Sequence, residues 1–210
     1  MIDKIKYKHM NQDELNEELL QVCEKGNLNI VKYLLTSPEL TEHAYINYKN
    51  NNDGWNALTL TCEYGYLDIV KYLLTSSELK EHIDIHSKNS YGSNALILAC
   101  SYGYLDIVQY LLTSPKLKEN SDIHHKDNDG YNALMIACAN RCFDIVQYLI
   151  IDMNIKIDKE TMNWLQGNNE HKIVYQDALK LIESRDLYQK LSNYIDSDKI
   201  NNKKIINIKI

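Results

Sequence analysis

The chain has 210 residues, of which 44% are hydrophobic and 25% charged, an ordinary globular composition able to bury a core. Its formal net charge of -6, with lysines dispersed and arginine only at Arg141 and Arg185, argues against nucleic acid and anionic membranes as partners. No apolar run approaches the roughly 18 residues of a bilayer span, and Met1 to Lys6 does not lead into a secretory core, so a cytoplasmic location is expected.

Along the chain, one pattern returns every 38 residues or about that. A first copy, over residues 12–50, lacks an opening turn but carries Leu19, Cys23, Gly26, Leu28, Ile30, Val31, Tyr33, Leu34 and Leu35. The second, over 51–88, is complete. Asn51, Asn52, Asp53 and Gly54 tolerate the dihedrals of a tight projecting turn. Leu58, Thr61 and Cys62 then fall at i, i+3 and i+4, one face of a short helix. Gly65 is placed to close that helix in the left-handed conformation. Leu67, Ile69, Val70, Leu73 and Leu74 form a second apolar stripe, with Asp68 in its first turn where the helix dipole favours a negative charge. The third copy, 89–126, restarts at Gly92, Ser93, Asn94, Ala95 and Leu96, with Gly103 at the place of Gly65. The fourth, 127–150, restarts at Gly130, Tyr131, Asn132, Ala133 and Leu134, but Arg141 replaces the inter-helix glycine and Cys142 and Phe143 replace a Tyr-Leu pair.

Each unit is thus helix, turn, helix. One alone cannot offset its ordering entropy, so neighbouring units bury each other's faces. After each second helix come Thr36 to His43, Thr75 to His82 and Thr113 to Asn120, read as an extra helical turn tucked in by Leu40, Leu79 and Leu117. Apolar spacing predicts further helices over Lys159 to Leu165, Val174 to Ser184 and Asp186 to Ile195. Residues 151–197 are therefore expected to form a helical cap on an array occupying 1–150, and 198–210 a disordered tail.

The recurring Gly-x-Asn-Ala-Leu-x-x-Ala-Cys-x-x-Gly-x-x-Asp-Ile-Val-x-Tyr-Leu-Leu resembles the ankyrin repeat. The family's Thr-Pro-Leu-His is here Asn56-Ala57-Leu58-Thr59, Asn94-Ala95-Leu96-Ile97 and Asn132-Ala133-Leu134-Met135, so an asparagine is the candidate replacement for the threonine cap. The repeat is also about five residues longer than the family's usual 33. The resemblance implies an all-α solenoid of about four units with projecting turns. It also implies a non-catalytic, monomeric scaffold for protein–protein interaction, whose concave face meets the partner. The long near-identical copies are similar to the arrays of giant viruses and intracellular bacteria, which would make the partner a host protein. An adaptor is the alternative, with the C-terminal helices recruiting a second protein such as a ubiquitin ligase component.

Chemistry-bearing residues follow the repeat rather than converge. Cys23, Cys62, Cys100 and Cys138 occupy one stacked position and read as small packing residues, with Cys142 outside the column. His43, His82, His86, His124 and His125 recur without matching acidic or sulfur ligands, so no metal, cofactor or catalytic residue is expected. Tyrosine is the informative residue, 16 against a single phenylalanine. Tyr33, Tyr72, Tyr110 and Tyr148 belong beside the leucines of second helices. Trp55, Thr59, Glu63, Tyr64, Tyr91, Tyr102 and Tyr131 are the candidate partner-binding residues: the first three are spaced four apart on one helix side, and the others lie at turns or next to that side.

Overall fold

A computed structural model describes residues 4–115, 117, 122–167, 176–187 and 189–190. Contacts divide the chain into two units, Met1–Ile145 and Val146–Ile210.

The first unit holds a short helix α1 (Lys4–Lys8) and then the helix pairs. These are α2 (Gln12–Glu24) with α3 (Leu28–Thr36), α4 (Ala57–Tyr64) with α5 (Leu67–Thr75), and α6 (Ala95–Tyr102) with α7 (Leu105–Thr113). α8 (Ala133–Ala139) is followed by α9 (Phe143–Gln147), which runs into a π-helical turn at Tyr148–Asp152. First helices pack on first helices, α2 on α4, α4 on α6 and α6 on α8, and α2, α4 and α6 each also pack on their own second helix. Among the described residues the backbone forms no strand, only an isolated bridge from Lys88 to Asn94.

Asparagine caps start the repeated first helices. The side-chain oxygens of Asn56, Asn94 and Asn132 accept the amides of Thr59, Ile97 and Met135 at 2.9, 2.9 and 3.0 Å. The cap the family builds from threonine is thus built here from asparagine, a replacement worth about 1 kcal/mol per helix. In α4 the Thr59 hydroxyl also accepts the Asn56 amide at 2.9 Å, so the two residues satisfy each other's end of the helix.

Most core positions fall where the stripes place them: Leu58, Cys62, Ile69, Val70 and Leu73 are buried, as are their counterparts Leu96, Cys100, Ile107, Val108 and Leu111, while Leu67 and Leu74 are half-buried. The extra helical turn is a correction. Ser37, Ser76 and Ser114 end their helices at ψ of 125°, 131° and 125°, and the chain continues in turns. Ser37 and Ser114 each precede a proline, which disfavours the α region at the residue before it. Leu40 and Leu117 are nevertheless buried, each held by an amide bond back to that serine's carbonyl, at 3.2 and 2.9 Å.

In the second unit, α10 spans Lys159–Gly167 and residues 176–187 are helical, burying Leu165, Ala178 and Ile182. Asp158 starts α10 by accepting the Thr161 amide at 2.7 Å. The expected tail at 198–210 and most of the helix expected over Asp186 to Ile195 lie outside the described residues.

Candidate partner-binding surface

The turn between the two helices of a unit is built by one glycine. Gly65 sits at φ 81°, ψ 25°, a left-handed conformation that closes α4 and lets α5 start two residues later. It has a second constraint. A Cβ on Gly65 would lie 2.4 Å from a ring carbon of Tyr104, and one on Gly26 would lie 2.3 Å from the ring of Tyr66. Each glycine therefore leaves room for the tyrosine of the following unit. Tyr66 also donates its hydroxyl to the Glu24 carbonyl at 3.2 Å, tying that unit to the one before.

Beside this half-buried joint lies a row of exposed rings. Tyr64 is 45% exposed and stacks on Tyr66, with ring centroids 6.4 Å apart and planes 10° from parallel. Tyr102, 52% exposed, donates its hydroxyl to Glu63 Oε1 of the preceding unit at 2.7 Å. The bond to that carboxylate, reinforced by partial burial and the carboxylate's charge, pushes the Tyr102 phenol up to about 12.

Turn tips are organised by a different device. The side-chain oxygens of Asn50, Asn89 and Asp127 accept the amides of Trp55, Ser93 and Tyr131 at 2.9, 3.0 and 2.8 Å, folding each tip onto itself. Consecutive tips join backbone to backbone, Ser90 N to Asp53 O at 2.8 Å and Asn128 N to Tyr91 O at 3.0 Å. Tyr91 is 61% exposed, whereas Trp55 and Tyr131 are half-buried.

Thr59 requires correction as a contact residue. It is 0% exposed, because α4 is covered by α2, α5 and α6 and its hydroxyl is used in the Asn56 cap. The single stripe of Trp55, Thr59 and Glu63 is therefore broken in the middle. What remains is two groups: Glu63, Tyr64 and Tyr102 at the C-terminal ends of the first helices, and Trp55, Tyr91 and Tyr131 at the tips. The 8 residues of α4 between them span about 12 Å. Tyr66 and Tyr104 belong to the first group and were not among the candidates. The recurrence of Gly65-Tyr66 and Gly103-Tyr104 is the signal that could have found them.

The other recurring residues have structural places. Cys23, Cys62, Cys100 and Cys138 are buried, and burial pushes the Cys138 thiol up to about 12. Tyr33 and Tyr72 are buried in their second helices, and Lys32 and Lys71 lie over the rings of Tyr72 and Tyr110, at 5.2 and 5.5 Å. His43 and His125 bond through Nε2 to the carbonyls of Ser37 and Gly92. Among the described residues no group of three or more His, Cys, Asp or Glu is placed to hold a metal ion.

A family model for ankyrin repeats, in three copies, matches residues 5–81 and again 78–163. The chain belongs to the ankyrin repeat family. No curated protein matches it. Ankyrin repeats generally mediate protein–protein interaction, and proteins built from them are typically non-catalytic scaffolds. Among the described residues of this ankyrin-repeat chain, no helix is long and apolar enough to cross a membrane.

Proposed function

We propose that this ankyrin-repeat protein is a non-catalytic scaffold that binds another protein on its concave face, across first-helix ends and turn tips of successive units. The observation that carries the reading is the exposure of Tyr64, Tyr91 and Tyr102, at 45%, 61% and 52%. Large aromatics of this kind bury much area at small entropic cost, and so serve as anchors in interfaces. Glu63, Trp55 and Tyr131 flank them and complete the proposed contact set. The array at 1–150 carries the binding.

The test is calorimetric titration against a partner captured from host lysate, the host origin being part of the proposal. Trp55→Ala or Tyr102→Ala is expected to weaken binding by about 2 kcal/mol, a factor near thirty. Lys71→Ala, on the second-helix side, should change it by less than about 0.5 kcal/mol. Loss in the lysine variant with retention in both aromatic variants would place the partner on the opposite side. In residues 176–187 Ala178 and Ile182 are buried, Leu179 and Leu181 half-buried and Leu187 59% exposed, so the described part of this helix offers no continuous apolar stripe to favour the adaptor alternative.

A further inference from the structure

We propose that the row of inter-helix turns in the first three repeats is a receptor for arginine side chains of the partner, each guanidinium lying against an exposed tyrosine ring and pairing with a neighbouring carboxylate. This rests on the protein-binding reading above and names the chemistry of its partner.

The row is continuous through observed contacts. Tyr66 covers Gly26 and bonds to the Glu24 carbonyl, Tyr64 stacks on Tyr66, Tyr102 bonds to Glu63, and Tyr104 covers Gly65. Exposed rings therefore recur from unit to unit at one end of the helices, with no part in the core. The charge around them is predominantly negative. Glu24 and Glu63 end the first helices, and Asp68 and Asp106 stand in the first turns of the second helices, where they help hold those helices by accepting the amides of Ile69 and Ile107 at 2.8 Å each. Lys25 is the one basic residue between Glu24 and Asp106 that adjoins a turn of this row. None of these four carboxylates is in an ion pair with a lysine or arginine among the described residues.

Aromatic faces attract cations through their quadrupole, and a carboxylate at the ring edge adds a second attraction for the same group. Arginine fits better than lysine, because its planar, weakly hydrated guanidinium stacks on a ring while its N–H groups reach a carboxylate in the fixed fork geometry. The Tyr102–Glu63 bond holds ring and carboxylate together across two units before any partner arrives, so less ordering is required on binding.

The experiment uses the full chain and a short poly-arginine peptide, with poly-lysine and poly-glutamate peptides of equal length, titrated by calorimetry at near-physiological salt. Poly-arginine is expected to bind at least about threefold more tightly than poly-lysine, and poly-glutamate not at all. The double substitution Glu24→Gln, Glu63→Gln keeps an acceptor for the Tyr102 hydroxyl while removing charge, and should weaken poly-arginine binding by at least about fivefold. Tyr64→Ala should do the same. Glu78→Gln with Glu81→Gln, removing equal charge from exposed positions after α5, should leave it within about twofold. Equal losses from the two carboxylate pairs would reduce the effect to net charge and overturn the proposal, as would failure of poly-arginine to bind. Neither result touches the broader reading, which stands or falls on how Trp55→Ala and Tyr102→Ala affect the captured partner.

Discussion

At the turn joining their helices, the second and third units place Gly65 and Gly103 at φ of 81° and 80°, and the fourth unit places Arg141 at 59°. The backbone makes the same left-handed step with and without a glycine, at a cost to arginine of roughly 1–2 kcal/mol. The neighbouring atoms differ. Rings of Tyr66 and Tyr104 would lie 2.3 and 2.4 Å from a Cβ on Gly26 and Gly65, while the nearest atom to one on Gly103 is the Cys142 sulfur at 3.3 Å. Glycine is thus required twice over where the next unit lays a tyrosine on the turn, and only once where the next unit supplies a cysteine. The wear of the fourth unit starts with that tyrosine, and it relaxes the constraint on the unit before it.

The largest effect that this contrast implies is at Gly65. A valine there must adopt a conformation nearly closed to β-branched residues and also displace Tyr104, so Gly65→Val is expected to cost about 3 kcal/mol or more. Gly103→Val meets only the conformational penalty and a contact with one sulfur, and should cost about 1 to 2 kcal/mol. Urea unfolding of the two variants measures the difference. Equal losses would mean that the tyrosine adds nothing to the glycine's role.

Much of this was legible beforehand because the repeat shows the same position several times. Left-handed Gly65 and Gly103, the asparagine caps and the buried cysteine column all follow from residues that return in one register. Thr59 was misplaced for a physical reason. Reading one solvent face from a four-residue spacing assumes a helix packed on one side, whereas α4 is flanked by first helices of two neighbouring units and backed by its own second helix. In α4 and α6 alike the consequence is complete, since every residue from Ala57 to Cys62 and from Ala95 to Cys100 is buried. First helices of an array therefore expose their ends rather than a stripe, and the exposed side chains lie there, at Tyr64 and Tyr102. The turns after the second helices were misread because leucines at Leu40 and Leu117 are buried equally well by a turn as by a helix.

A smaller effect of opposite sign is expected at Arg141. Arg141→Gly removes the left-handed penalty but adds glycine's entropy to the unfolded chain, leaving a net gain of about 0.5 to 1 kcal/mol. The same denaturant titration reads it as a raised midpoint with unchanged slope. A loss of stability instead would show that the arginine side chain makes contacts worth more than its backbone strain, and that the fourth unit has been rebuilt around it.

The smallest expected effect concerns the bond that spans two intact units, Tyr102 to Glu63. The folded phenol is held up to about 12 by that carboxylate, against an ordinary value near 10 in the unfolded chain. The folded state therefore keeps its proton where the unfolded chain releases it. Whatever stability the bond contributes is fully present below about pH 10 and is lost as pH rises through about 12. The effect on unfolding is small, because solvent screens a half-exposed phenol, but the titration itself is direct. Tyr48 is likewise pushed up to about 12, chiefly by its bond to Glu17, and burial raises Tyr64, Tyr72 and Tyr148 as well, so in ultraviolet-difference titration Tyr102 and Tyr48 should be two members of a late-titrating group. Glu63→Gln keeps an acceptor but no charge, and should move one of the two back toward about 10 while leaving Tyr48 in place. Tyr102→Phe should delete that same transition. If Glu63→Gln leaves both of these late transitions unchanged, the cross-unit bond does not form in solution, and exposed rings at the turns are set by each unit alone.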